Sequence, residues 1–166
     1  ALKDEGKFED AVSCYYNALQ LKPNFVEALC NLGDVLRQLD RSNEAVECYQ
    51  KALRYTPDYA KAYINLGLTF RDLGKLEQAI SIYRKVLAFK PEYAEAHNNL
   101  GNALLDLGKP EKATQSFQKA LSLNPEYTEA LNNLGAALCD LDRAHEATVC
   151  YRKALDLKPE YAEAHN

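Results

Sequence analysis

The sequence predicts an all-α fold built as a stack of helical hairpins, and three observations predict it. The chain repeats itself every 34 residues, apolar residues within each copy recur at helical spacing, and glycine and proline punctuate the copies at fixed places. Full copies run over 26–59, 60–93, 94–127 and 128–161. Residues 1–25 are the tail of an earlier copy and 162–166 the head of a later one. No linker, low-complexity tract or composition break interrupts 1–166, so the expectation is a single array, and a piece of something longer.

Numbered 1 to 34 within a copy, the first helix covers positions 1 to about 14. Its apolar stripe falls at 4, 7, 11 and 14, as in Leu131, Leu134, Leu138 and Leu141. Small residues flank the stripe at positions 3 and 10 (Ala96 and Ala103, Ala130 and Ala137) and admit a close partner helix. Position 8 is always glycine: Gly33, Gly67, Gly101 and Gly135. Mid-helix glycine costs about 1 kcal/mol against alanine, so its recurrence needs a packing reason. The first helix ends at position 15, where Gly6, Gly74 and Gly108 suit a left-handed cap and Asp40 and Asp142 replace them.

The second helix then runs to about position 29, and Pro110 fits its first turn, where a missing N–H is harmless. Position 20 is always alanine (Ala11, Ala45, Ala79, Ala113, Ala147) and position 24 always aromatic (Tyr15, Tyr49, Tyr83, Phe117, Tyr151). A proline at position 32 closes each unit: Pro23, Pro57, Pro91, Pro125 and Pro159. The aromatics at position 34 (Phe25, Tyr59, Tyr93, Tyr127, Tyr161) are placed to wedge between successive units.

This pattern resembles the tetratricopeptide repeat, shown best by Tyr63, Leu66, Gly67, Phe70, Ala79, Tyr83 and Pro91. The match covers essentially the whole chain. The signature's first Trp is absent, position 4 being Leu29, Tyr63, His97, Leu131 or His165. The resemblance implies a right-handed α-solenoid whose first helices line a concave, peptide-holding groove.

Composition excludes several classes. A net charge of −4 argues against a general binder of nucleic acid or anionic membrane. No apolar run approaches the ~18 residues that span a bilayer, and there is no signal-peptide pattern. The chain is 47% hydrophobic, enough for a sizeable core, although a stack of repeats buries less than a globule of equal length. Cys14, Cys30, Cys48, Cys139 and Cys150 lack C-x-x-C spacing, and three of them share position 23. They read as small buried side chains in a reducing, cytoplasmic compartment.

Positions 2, 5, 6, 9, 12 and 13 cluster opposite the apolar stripe at 100° per residue. Position 6 is Asn31, Asn65, Asn99 and Asn133 without exception. A carboxamide offers two donors and an acceptor, so a row of them can hold a peptide main chain regardless of sequence. The row resembles the asparagine ladder in the repeat arm of O-GlcNAc transferases. Asn98, Asn132 and Asn102 extend the same surface. Beside it the N-terminal part mixes Glu27, Asp34 and Asp72 with Arg37, Lys61 and Arg71. The C-terminal part carries Glu95, Asp106, Glu129, Asp140 and Glu163, which favours a ligand with a basic stretch. The carboxylate clamp of chaperone-binding relatives is missing, since position 5 is Cys30, Ile64, Asn98 or Asn132 and position 6 is never Arg.

No catalytic constellation stands out. His97 and His165 fall on the core stripe, His145-Glu146 lacks the second His of a zinc-protease motif, and no Gly-Lys pair sits in a phosphate loop. The expectation is therefore a non-enzymatic scaffold binding an extended peptide, with no cofactor or metal. Two other expectations stand beside it. Unpartnered apolar ends, with 158–166 repeating 90–98 residue for residue, suit head-to-tail self-assembly. The piece also suits the substrate-recruiting arm of a larger enzyme such as a glycosyltransferase.

Overall fold

The structure, a computed structural model, describes the backbone of residues 2–157 and the side chains of 6–157. The expectations placed on Pro159, Tyr161, Glu163, His165 and the copy beginning at 162 lie outside these residues. All regular structure described is α-helical. The helices are α1 (Leu2–Leu21), α2 (Val26–Gln38), α3 (Ser42–Tyr55), α4 (Ala60–Asp72), α5 (Leu76–Phe89), α6 (Ala94–Asp106), α7 (Pro110–Leu123), α8 (Thr128–Cys139) and α9 (Ala144–Leu157).

Two compact units result, Ala1–Phe89 with α1 to α5 and Lys90–Asn166 with α6 to α9. In the first, α2 pairs with α3 and α4 with α5 as antiparallel hairpins, α3 packs on α4, and α1 packs on α2. In the second, α6 pairs with α7 and α8 with α9, and α7 packs on α8. The first helices of neighbouring repeats also touch directly, α2 on α4 and α6 on α8.

The glycine at position 8 has its packing reason in the aromatic ring sixteen residues on. A Cβ added to Gly33 would lie 2.6 Å from the Tyr49 ring, and one added to Gly101 would lie 2.5 Å from Phe117. The Tyr49, Tyr83 and Phe117 side chains are fully buried, and only a bare Cα lets their rings lie across the facing helix. Ala45, Ala79 and Ala113 at position 20 are likewise fully buried. Leu29, Leu32, Leu36 and Leu66 complete the core of the first unit. Leu100, Leu104, Leu131, Leu134 and Leu138 are buried in the second.

The turns follow the punctuation. After α2, α4, α6 and α8 the chain takes a left-handed residue: Asp40 and Asp142 at φ 58°, Gly74 and Gly108 at φ 69°. Each stop carries the same pair of backbone bonds, as in Gly74 N–H to Arg71 C=O at 2.9 Å and Lys75 N–H to Phe70 C=O at 2.8 Å, the Schellman arrangement. Pro23, Pro57, Pro91 and Pro125 then occupy the second place of a four-residue turn closed by a bond such as Tyr59 N–H to Thr56 C=O at 3.2 Å. The position-34 aromatics are the N-cap residues of the next helix, and Tyr59 packs against the first core.

Three expectations need correction. Gly6 does not end a helix, because α1 runs through it from Leu2 to Leu21. The few residues ahead of Gly6 offer too little apolar surface to hold a separate helix against α1, so continuing the backbone hydrogen-bond ladder wins. His97 is not a core residue: it is half-buried, and its Nε2–H donates to the Pro91 carbonyl at 2.9 Å. Position 4 stands in the first turn of α6, within reach of the preceding proline turn, and a bare carbonyl attracts the ring. Of the cysteines only Cys30 is fully buried, while Cys14 and Cys139 are exposed and Cys48 and Cys150 lie between.

Candidate functional site

The candidate site is the surface formed where first helices of neighbouring repeats meet, α2 with α4 in one unit and α6 with α8 in the other. On α2 and α4, Asp34 is the hub. Its Oδ1 accepts the Tyr49 hydroxyl and the Asn65 side-chain N–H, each at 2.6 Å. The bond from Tyr49 ties the hub to its own repeat, and the bond from Asn65 ties it to the next. Burial, then the hydrogen bond and negative charge of Asp34, push the Tyr49 phenol far above its ordinary value, so it stays a donor. Arg37 pairs with Asp72 at 3.5 Å, with both side chains partly exposed. Lys61 is exposed and Arg71 half-buried. Asn31 is half-buried and takes no side-chain hydrogen bond among the described residues.

On α6 and α8 the arrangement differs. Asn98 is fully buried, donates to Glu129 Oε1 at 2.9 Å and accepts from the Asn133 amide at 3.0 Å. Expected on the open surface, it instead supports that surface from below, because the following repeat lays Tyr127, Glu129 and Asn133 over it. Asn132, its counterpart at position 5, is exposed. Tyr93 donates to Glu95 at 2.9 Å. Burial and neighbouring carboxylates, Glu95 for Tyr93 and Glu129 with Glu95 for Tyr127, push both phenols up to about 12. Asn102 is half-buried, and Asp106, Glu95, Glu129 and Asp140 are exposed.

Asn99 stands apart. Its residue is 7% exposed, its side chain has no hydrogen-bond partner among the described residues, and its amide is not sealed from solvent. It is a polar group in a nearly closed setting whose hydrogen-bonding capacity no described residue uses.

The position-6 row is thus not four equivalent amides. Asn65 and Asn133 each spend a donor on the neighbouring repeat, while Asn31 and Asn99 do not. The bridging roles of Asp34 and Asn98 were hidden in the sequence, where both stand at positions that vary from copy to copy. The one signal was Asp34 as the carboxylate at position 9, otherwise Leu68, Asn102 and Ala136, in a copy with tyrosine at position 24. Among the described residues no three metal-ligating side chains converge, and no helix is long and apolar enough to cross a membrane.

Profiles described as TPR repeat match residues 1–40, 33–71 and 67–108, and two described as tetratricopeptide repeat match 94–127 and 116–148. The chain belongs to the tetratricopeptide repeat family. Its fold is accordingly an all-α solenoid of tandem helix-turn-helix units. The crystal structure of MamA is similar at 27% identity and a TM-score of 0.82, over 97% of this chain and 94% of that one. TTC0263, a thermophilic TPR protein of Thermus thermophilus, is similar at 28% identity and a TM-score of 0.79, over 98% and 89%. YrrB, described as a TPR protein with an unusual peptide-binding site, is similar at 22% and 0.73, over 97% and 83%, a likeness of fold alone. A comparison with curated protein sequences finds no match. Tetratricopeptide proteins are generally non-catalytic scaffolds, and membership of the family supports a protein-interaction scaffold for this chain.

Proposed function

We propose that the scaffold holds an extended peptide along its first helices, with position-6 asparagines bonding the peptide main chain and flanking charges choosing its side chains. The observation that carries this reading is Asn99, more than nine-tenths buried yet without a partner among the described residues. A peptide unit supplies both an acceptor and a donor to such an amide. A neutral bond of this kind nets about 0.5–1.5 kcal/mol, and a nearly enclosed setting limits competition from water. Asn31 offers a comparable contact in the first unit, while Asp34 and Asn98 hold Asn65 and Asn133 in fixed orientations.

Several such bonds, offset by the cost of ordering the peptide, give micromolar affinity, about −8 kcal/mol. Around Asn99 and Asn133 the exposed charges are Glu95, Glu129, Asp106 and Asp140, so a peptide with a basic stretch is favoured there. The five free thiols support a reducing compartment.

The test is selection of binders from a random linear peptide library, followed by titration calorimetry with the tightest. The Asn99→Ala/Asn133→Ala double variant weakens that peptide at least about tenfold while its helical circular dichroism persists. A set of selected peptides none of which loses affinity in this variant refutes the ladder. Peptides that need Asn99 and Asn133 yet are consistently acidic refute the charge preference.

A further inference from the structure

A second groove lies away from the asparagines, in the first unit, floored by α4 and walled by the second helices α3 and α5. Its volume is about 400 Å³, within the range of cavities that hold small ligands or one or two side chains. Tyr63, Leu66 and Phe70 form the floor, and Arg54 and Lys85 stand on the walls. Tyr63 and Phe70 are only half-buried there. No carboxylate lines the groove, and among the described residues neither cation makes an ion pair.

Tyr63, Phe70 and Arg54 are particular to one copy of the repeat, whereas Lys85 recurs at position 26 as Lys51, Lys119 and Lys153. Tyr63 is the single aromatic at position 4 and Phe70 the single aromatic at position 11, where the other full copies carry Leu36, Leu104 and Leu138. Arg54 is the single cation at position 29, which is otherwise Gln20, Ala88, Ser122 and Asp156. The neighbouring groove over α2, about 250 Å³, shares Arg54 and carries Tyr16 and Lys51, but there Glu44 and Glu47 stand beside the cations, and Glu44 is taken by Arg41 at 2.7 Å. What sets the groove over α4 apart from its neighbour is an aromatic floor whose flanking cations have no carboxylate beside them.

We propose that this groove binds an acidic peptide segment, seating one bulky apolar side chain on Tyr63 and Phe70 and flanking carboxylates on Arg54 and Lys85. The ring floor supplies the apolar contact and the cations set the charge of the partner. The scaffold then has two docking surfaces of opposite preference, and occupancy of one does not depend on the asparagine row.

Fluorescence anisotropy of the full chain with fluorescein-labelled Glu-Asp-Leu-Phe-Asp-Glu tests this. Saturable binding is expected, weakened about five- to tenfold by Arg54→Ala/Lys85→Ala and weakened by added salt. Both substituted residues are exposed, so the helical signal is retained. A peptide with alanine in place of Leu-Phe binds at least about tenfold more weakly, since the buried apolar area is lost. The Asn99→Ala/Asn133→Ala variant binds the labelled peptide as the parent does, which separates this site from the one proposed above. The inference is overturned if the parent chain does not bind, if the alanine peptide binds equally well, if Arg54→Ala/Lys85→Ala changes nothing, or if the asparagine variant abolishes binding.

Discussion

Adding one methyl group separates the two settings in which the position-8 glycine occurs. In Gly33→Ala the new Cβ would stand 2.6 Å from two carbons of the Tyr49 ring, where contact is comfortable at about 3.5–4.0 Å. The ring must therefore move by about 1 Å. It has nowhere to go, because Tyr49 is fully buried and its hydroxyl is held by Asp34 at 2.6 Å. Overpacking of this sort costs about 1–3 kcal/mol, and breaking the bond to the carboxylate costs a similar amount. Alanine returns about 1 kcal/mol of helix propensity, leaving a net loss of about 1–5 kcal/mol.

Gly135→Ala presents the same 2.6 Å approach to Tyr151, but that ring is 36% exposed and swings outward. Its net effect lies between neutral and about 1 kcal/mol stabilising. Thermal unfolding followed by circular dichroism reads the difference, at about 2–4 °C per kcal/mol for a chain of this size. Equal shifts in the two variants would show that ring burial is not what demands the glycine.

Other predictions follow from the same contacts. Tyr93 and Tyr127, pushed up to about 12, titrate after the ordinary phenols when tyrosinate absorbance is followed. Both favour the protonated folded state, so their contribution to stability is complete below about pH 10 and is lost as pH rises toward 12. Tyr93→Phe/Tyr127→Phe should remove the step near 12 and leave Tyr49, which is pushed higher still. With a disulfide reagent, the exposed Cys14 and Cys139 react first, while Cys30, buried and pushed up to about 12, reacts only on unfolding; rapid loss of all five thiols would contradict the packing. Asn98→Ala strips Asn133 and Glu129 of a fixed partner and costs about 1–3 kcal/mol, measured by urea denaturation. An unchanged midpoint would mean Asn98 bridges nothing of consequence.

What could be read in the sequence was whatever the repeat states many times over. The apolar stripe, Pro57 and its equivalents, and the left-handed caps at Asp40, Gly74, Gly108 and Asp142 each depend on local geometry, so periodicity reveals them. The demand for Gly33 was visible, but not its cause, because the ring that imposes it lies on the other helix of the hairpin. Features that belong to one copy were harder. Asn98 looked like surface because helical phase alone cannot show that the following repeat covers it. Asp34 looked like one charge among several, and its two bonds join side chains far apart in sequence. Gly6 misled because the same residue stops a helix only where a preceding helix has something to pack on.

The reading stands or falls on which side chains a bound peptide touches. With uniformly nitrogen-15-labelled protein, the side-chain amide resonances of Asn31, Asn65, Asn99 and Asn133 are followed as the tightest library peptide is added. Saturable shifts at Asn99 with its neighbours on α6 and α8, or at Asn31 with its neighbours on α2 and α4, are the expected result. Shifts confined to the second helices α3, α5 and α7, with all four amides unmoved, would contradict it.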